Sequence, residues 1–164
     1  MTDQPAAHTP DNAGLIMPPP LFLAIALVGA IALDFLIPVR FVPLWHVASL
    51  SSGVVLIALA LALAWWGENT FKRHNTDVRP WKPTSRIVET GPFAFVRNPM
   101  YVGFVLVLIG LGFAAALEWA LILAPVLWIA LHFLVVVREE DYLTRKFGGV
   151  YTAYLTKVRR WGLF

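Results

Sequence analysis

The chain has 164 residues, of which 59% are hydrophobic and 14% are charged, and its mean hydropathy is +0.69. A soluble domain carries roughly 25% charged residues, and a soluble fold of this size cannot bury so many apolar side chains gathered in long runs. The composition therefore excludes a secreted or cytosolic globular protein and indicates an integral membrane protein. Basic loops at a cytoplasmic membrane surface explain the net charge of +3, so we expect no nucleic-acid partner.

The chain contains no cysteine, and its four histidines are widely scattered. Disulfides, thiolate metal sites and a cysteine nucleophile are therefore excluded. The spacing of His8, His46, His74 and His132 is not typical of a histidine metal centre. We expect no metal in this protein.

Residues 1–20 contain no Lys or Arg and end in three prolines. A signal peptide needs a positively charged N-terminal region, so we predict a disordered tail instead. Four apolar runs follow, and runs of about 17 to 20 helical residues match a hydrocarbon core of roughly 30 Å. These runs are Leu21–Ile37, Val47–Trp66, Tyr101–Leu117 and Trp119–Val137.

The pattern predicts an all-α, polytopic transmembrane protein with four spans and a cytoplasmic C-terminal helical cap. Residues 21–66 are expected to form a first helix pair. Residues 67–164 are expected to form a core that contains a cytoplasmic loop, a helical hairpin over residues 99–137 and the cap. The last two runs are joined almost without a loop, and Gly110 and Gly112 are expected to allow the close packing of this hairpin.

The basic residues predict the orientation of the chain. Of the 13 Lys and Arg residues, six lie between Gly67 and Asn98, six follow the fourth run, and Arg40 alone lies in the first turn. The positive-inside rule then places the long loop and both termini in the cytoplasm. We therefore expect any chemistry to take place at the cytoplasmic interface.

The segment from Arg86 to Gly103, which leads into the third run, is too patterned for a simple connector. Asn98 is a favourable N-cap and Pro99 suits the first helical position, so a helix should begin here. Its free backbone N–H groups suit an anion such as a carboxylate, and Tyr101 lies on nearly the same face as Asn98. Taken alone, the segment is more typical of a proline-started transmembrane helix after a basic loop.

A second patterned segment runs from Arg138 to the end of the chain. It begins with three acidic residues, 139–141, at the membrane exit, where anionic lipid disfavours them. Gly148 and Gly149 are expected to end a helix, and an apolar stripe at helical spacing then indicates an interfacial or capping helix. On its own, the acidic run is also typical of a solvated rim. His132, inside the fourth run, is expected to hydrogen-bond between helices.

Together the two segments resemble the isoprenylcysteine carboxyl methyltransferases and are similar to the related phospholipid methyltransferases of membranes. The first block is Val88-x-Thr-Gly-x-Phe-x-x-x-Arg-Asn-Pro-x-Tyr-x-Gly103. After the hairpin comes Glu139-Glu140-x-x-Leu143-x-x-x-Phe147-Gly148-x-x-Tyr151-x-x-Tyr154-x-x-x-Val158. The resemblance extends over residues 85–164, about half of the chain.

The resemblance implies an enzyme that transfers a methyl group from S-adenosylmethionine to a lipophilic acceptor, leaving S-adenosylhomocysteine, without a metal. The cofactor-binding residues that it implies are Ile87, Val88, Phe93, Asn98, Pro99, Met100, Tyr101, Glu139 and Glu140. Arg97, Glu139 and Arg138 are the residues predicted to act in catalysis. Arg97 and the helix N-terminus suit the cofactor carboxylate, and Glu139 or Glu140 suits its ammonium group or ribose hydroxyls.

Two positions depart from the isoprenylcysteine branch. Asn98 stands where that branch has His, and Val135 stands where it has an Arg for the acceptor carboxylate, with Arg138 the nearest substitute. These departures favour a phospholipid amine as the acceptor, whereas the three-part motif favours a prenylcysteine-like carboxylate. A non-enzymatic membrane subunit that uses the hairpin and tail for assembly is the alternative from another functional class.

Overall fold

The computed structural model describes residues 11–42, 47–77 and 82–162, and within these ranges the regular elements are all helical, as predicted. A 3₁₀ turn at Gly91–Ala94 precedes the third helix. The six α-helices of the described residues are α1 (Pro19–Leu36), α2 (Val47–Arg73), α3 (Pro99–Ala114), α4 (Glu118–Leu131), α5 (Val137–Phe147) and α6 (Gly149–Lys157).

Three helical stretches of the described residues are long and apolar enough to cross a membrane. They are α1, α2 and the continuous helix Glu118–Phe147 that contains α4 and α5. Large apolar side chains on them stay exposed, such as Phe35 at 87%, as expected for surfaces that face lipid. The chain is thus an integral membrane protein. The apolar α3 has 16 residues and is about 24 Å long, so the fourth span stays a prediction, as do the cytoplasmic cap and the orientation.

Small residues let α2 and α3 pack closely. A Cβ atom on Gly53 would lie 2.5 Å from both the backbone nitrogen of Ala114 and the carbonyl oxygen of Gly110. The prediction that Gly110 serves the hairpin is therefore wrong, because this residue faces α2. Gly112 does face α4, where a Cβ atom would lie 2.4 Å from the Leu121 side chain.

The turn between α3 and α4 has three residues, and the two helices pack against each other, as the short connection predicts. At the start of α4, the fully buried carboxylate of Glu118 binds the chain that follows α1. Its Oε1 accepts hydrogen bonds from the backbone N–H groups of Phe41 and Val42, at 3.2 and 3.1 Å. Arg40 lies 3.4 Å from Oε2 and also pairs with Asp34. Glu118 therefore ties the hairpin turn to α1.

Between α4 and α5 the helix widens into a single π-turn, His132–Val136. A π-turn adds a residue to the helical repeat and so changes which side chains point to a given side after it. Val135 and Val136 are fully buried at this point. Because the turn precedes Glu139 and Glu140, it helps to set the direction of both carboxylates.

The part of the predicted disordered tail that the structure describes packs against α5. Asp11 forms an ion pair with Lys146, with 2.7 Å between Oδ2 and Nζ, and accepts a hydrogen bond from the Tyr142 hydroxyl at 2.8 Å. Ala13 is buried. The two donors on α5 hold the segment in place, a long-range contact that the sequence pattern does not indicate. Residues 1–10 lie outside the described residues.

Candidate functional site

A cavity lies where the polar ends of α2, α3 and α5 meet α6 and the loop before α3. Every predicted cofactor-binding residue lines this cavity, and so does Arg97. These residues are Ile87, Val88, Phe93, Asn98, Pro99, Met100, Tyr101, Glu139 and Glu140. Two segments that are far apart in sequence are therefore brought together.

Arg138 is not part of the cavity lining. Its side chain is exposed, and its guanidinium lies 3.4 Å from the carbonyl oxygen of Gly14. On α5, Arg138 thus points toward the N-terminal segment while Glu139 and Glu140 line the cavity. Arg138 is therefore the predicted site residue that lies outside this cavity, and its catalytic role stays a prediction.

The start of α3 is joined to α5 by a hydrogen bond between Tyr101 and Glu139. The Tyr101 hydroxyl donates to Oε1 of Glu139 at 2.6 Å, and Tyr101 is buried. Among the described residues, no Lys or Arg forms a salt bridge with Glu139. Its carboxylate can therefore bind a cationic group that enters the cavity.

Glu140, in contrast, is already paired with two arginines. Arg160 donates from Nε to Oε1 at 2.9 Å and from Nη2 to Oε2, and Nη1 of Arg97 lies 3.4 Å from Oε1. Hydrogen bonding to Glu140 raises the pKa of Arg160, which stays cationic. Glu140 thus holds two guanidiniums in place, which leaves Glu139 as the freer carboxylate of the pair.

The segment that follows α6 runs along the start of α3 at Arg159 and Arg160. This helix begins at Pro99 as predicted, but the Asn98 side chain makes no capping hydrogen bond. Its Nδ2 instead donates to the carbonyl oxygen of Arg160 at 3.1 Å, and the Arg97 backbone N–H donates to that of Arg159 at 3.0 Å. Asn98 therefore holds the backbone at Arg160 against the site.

Arg97 carries an unsatisfied donor inside this structure. Its side chain is 11% exposed, and its buried Nε has no hydrogen-bond partner among the described residues. A buried N–H group without an acceptor is energetically costly. An anionic ligand in the cavity could supply this acceptor.

Aromatic residues form the apolar wall of the cavity. Phe93 packs edge-on against Phe71, with 4.7 Å between ring centroids, and the Tyr154 hydroxyl donates to the Phe93 carbonyl oxygen at 2.7 Å. Tyr151 and Tyr154 are buried, and burial raises the pKa of both hydroxyls. Both tyrosines therefore stay protonated at neutral pH, and Tyr154 remains a hydrogen-bond donor.

A comparison with known families identifies the chain. Residues 48–149 match the family described as phospholipid methyltransferase. The chain belongs to the phospholipid methyltransferase family. The match covers more than half of the chain and confirms the resemblance that the motifs indicate. No curated protein and no solved structure matches the chain significantly.

This membrane methyltransferase has further cavity residues that sequence reasoning did not select. Tyr151 and Tyr154 belong to the apolar stripe that follows Gly149, so their helical spacing could have identified them as buried residues beside the site. Leu143 is also a residue of the second motif, and Arg86 and Tyr142 lie next to motif segments. The remaining missed residues come from segments outside the motifs and carry no local signal. The cavity residues that were missed are Ala13, Phe71, Asp77, Thr84, Arg86, Tyr142, Leu143, Tyr151 and Tyr154.

Proposed function

We propose that this protein transfers a methyl group from S-adenosylmethionine to a membrane lipid at the cytoplasmic surface. One observation carries the proposal. In a chain of a methyltransferase family, the predicted cofactor residues of the loop, α3 and α5 line the same cavity. Bound S-adenosylmethionine would supply a methyl group activated by its sulfonium, so the main task of the protein is to position donor and acceptor.

The charged groups of the cavity fit the amino-acid end of this cofactor. The unsatisfied Nε of Arg97 suits the cofactor carboxylate as its acceptor. Glu139, held by Tyr101 at 2.6 Å, suits the ammonium group. Glu140 acts through Arg97, which it orients at 3.4 Å, rather than as a direct ligand.

The apolar wall suits the adenine and the sulfonium. Val88 and Phe93 are 6% and 5% exposed and offer surfaces against which a base can pack. The ring of Tyr101 lies beside Glu139 and can face a sulfonium as a cation–π partner. With this arrangement the chain offers binding partners to both ends of the cofactor.

The proposed acceptor is the amine of a phospholipid that reaches the site from the bilayer. Its ammonium must lose a proton to solvent before the nitrogen can accept the methyl group, and S-adenosylhomocysteine would be the leaving group. The family match supports this choice. Val135 supports it as well, because this side chain is fully buried and cannot bind an acceptor carboxylate. A prenylcysteine-like carboxylate is the competing acceptor.

Two measurements on detergent-purified protein test the function. Equilibrium binding of S-adenosylhomocysteine tests the cofactor, and its absence would support a non-enzymatic subunit instead. Incubation with radiolabelled S-adenosylmethionine and vesicles then tests the acceptor. We expect organic-phase label with phosphatidylethanolamine and none with phosphatidylcholine alone. Label that appears with a farnesylcysteine substrate instead would overturn the amine acceptor, and label confined to water-soluble molecules would overturn any lipid acceptor.

A further inference from the structure

A second polar cluster lies beside the Glu140–Arg160 pair, outside the cavity lining. In it, Nε1 of Trp161 donates to Nδ1 of His132 at 3.1 Å. On the other side of the imidazole, Nη1 of Arg160 lies 3.5 Å from Nε2. The ring centroids of Trp128 and Trp161 lie 5.8 and 6.3 Å from that of His132.

These contacts determine which nitrogen of His132 carries the proton. An indole N–H can donate but never accept, so Nδ1 must be the unprotonated acceptor. A neutral imidazole then has its hydrogen on Nε2. Guanidinium nitrogens are also donors without acceptor capacity. Nε2–H of His132 and Nη1 of Arg160 are therefore two adjacent donors that cannot satisfy each other.

Two adjacent donors call for one shared acceptor, and the local charge favours an anion. Arg97, Arg160 and Glu140 together carry a net positive charge, since two guanidiniums face one carboxylate. Nε and Nη2 of Arg160 bind Glu140, which leaves Nη1 on the His132 side. The Arg160 side chain is 31% exposed, so a ligand from outside can reach it.

An apolar groove between α3 and α4 ends at Trp128, whose ring contacts His132. One wall of the groove is formed by side chains four residues apart on α3, and the other by side chains of α4 that end at Trp128. Trp128 lies one helical turn before His132 and contacts its ring. The groove is lined by Val105, Ile109, Phe113, Leu121, Ala124, Pro125 and Trp128.

We propose that His132 and Arg160 bind the phosphodiester of a membrane phospholipid whose acyl chain lies in the α3–α4 groove. An anion-binding pair at the end of an apolar groove fits an amphiphile with a negatively charged oxygen next to its hydrocarbon chain. The site is separate from the methyl donor, because neither His132 nor Trp161 lines that cavity. A failure of lipid binding here can therefore be distinguished from a failure of methyl transfer.

The binding test uses a fluorescent phosphatidylglycerol with purified protein in a neutral detergent. We expect saturable binding that unlabelled phosphatidylglycerol displaces and that diacylglycerol of the same chains does not displace. Displacement by inorganic phosphate at the same concentration would indicate a free-phosphate site and overturn the lipid assignment. Equal displacement by diacylglycerol would overturn the role of the phosphodiester.

Variants test the two parts of the site separately. His132→Phe keeps an aromatic ring but removes Nε2–H, and we expect about tenfold weaker binding, the usual effect of losing a hydrogen bond to a charged group. Ile109→Trp fills the groove and should weaken long-chain lipid more than a dibutyryl analogue. Phe35→Leu, on an exposed side chain of α1, is the matched control, because Phe133 itself contacts the His132 ring. Unchanged lipid binding in a His132→Phe protein that still binds S-adenosylhomocysteine would overturn the proposal.

A spectroscopic measurement on the unaltered protein covers the case in which His132→Phe does not fold. Nitrogen-15 NMR of histidine-labelled protein reports which nitrogen of each imidazole is protonated. We expect the Nε2–H tautomer at His132 and a shift of its signal on addition of phosphatidylglycerol. Trp161→Phe removes the donor to Nδ1, so both neutral tautomers of His132 should be populated. Lipid binding should then weaken, although the variant removes no group that contacts the lipid. An Nδ1–H tautomer in the unaltered protein would overturn the inference.

Discussion

Tyr101 in the first turn of α3 donates a 2.6 Å hydrogen bond to Glu139 at the start of α5. The two residues are 38 positions apart in the chain, yet this bond joins the two segments that carry the family motifs. It places a carboxylate without a described salt-bridge partner beside an aromatic ring, at the edge of a cavity that also contains Arg97. This pair is the basis of the first prediction.

Replacing Glu139 with Ala should weaken S-adenosylhomocysteine binding about a hundredfold. The variant loses the group proposed to bind the cofactor ammonium and also leaves the Tyr101 hydroxyl without its acceptor, and each loss is expected to cost about tenfold. Tyr101→Phe should therefore weaken binding about tenfold. Isothermal titration of the purified variants measures both effects. Glu89→Ala is the control, because this carboxylate pairs with Lys157 outside the cavity; a normal affinity in Glu139→Ala would rule the site out.

Glu140→Ala should destabilise the fold more than any exposed carboxylate substitution. Glu140 is buried between Arg97 and Arg160, and its removal leaves two guanidiniums without a counter-charge. We expect a loss of about 3 kcal/mol, which for a chain of this size lowers Tm by about 9 °C. Thermal unfolding in detergent is the measurement. Glu68→Ala removes an exposed ion pair with Lys72 and should cost less than about 0.5 kcal/mol; similar effects of the two variants would contradict a structural role for Glu140.

Gly53→Ala should disrupt the packing of α2 against α3. The added Cβ atom would lie 2.5 Å from backbone atoms of Gly110 and Ala114, which cannot move without shifting α3. Overpacking of this kind costs about 3 kcal/mol, and the shift should reach Tyr101 at the other end of α3. Gly29→Ala is the control, since its Cβ atom would lie 3.7 Å from Leu123. Yield and Tm should fall for the first variant alone.

Reporter fusions test the predicted orientation. The distribution of basic residues, with twelve of 13 in the long loop and after the fourth apolar run, predicts four spans and a cytoplasmic site. A reporter after Phe164 and another after Pro80 should both indicate the cytoplasm. An external signal at one of the two positions would show an odd number of crossings between them, and the short α3 would then not span the membrane.

The N-terminal segment should slow the release of ligand from the cavity. Tyr142 joins this segment to the loop before α3, because its hydroxyl donates to Asp11 at 2.8 Å and accepts from the Thr84 backbone N–H at 3.2 Å. Tyr142→Phe removes both contacts and should speed the dissociation of S-adenosylhomocysteine several-fold in a stopped-flow experiment. Arg145→Gln, elsewhere on α5, is the control. An unchanged rate in Tyr142→Phe would show that the segment does not cover the cavity.

The same contact predicts how release depends on pH. The hydrogen bond from Lys146 lowers the pKa of Asp11 from its ordinary value of 3.8. Because the pKa of Asp11 is lowered in the folded chain, its ion pair with Lys146 is fully formed above pH 3.8. The ion pair is lost as the pH falls through the lowered pKa. Asp11 should therefore cause no change in the release rate between about pH 5 and about pH 8. A step in that range that Asp11→Asn abolishes would contradict this assignment.

The sequence alone determined the class of the protein and the two segments that contain its candidate site. Long apolar runs have no low-energy alternative to membrane helices, because every backbone polar group in lipid needs an internal partner. Proline and glycine act locally, so the start of α3 at Pro99 and the end of α5 at Gly148 could be predicted. The motif residues were found for a related reason, since they lie in two short segments with recognisable spacing.

The tertiary structure alone decided which partner each motif residue contacts and therefore which role it has. Glu139 and Glu140 are adjacent in sequence, but one binds Tyr101 and the other binds two arginines. Their directions depend on the π-turn at His132–Val136 and on the contact of the Arg159–Arg160 segment with the start of α3. Both features arise from contacts between distant segments, whose energies no local pattern encodes. For the same reason Arg138, next to Glu139 in sequence, lies outside the cavity.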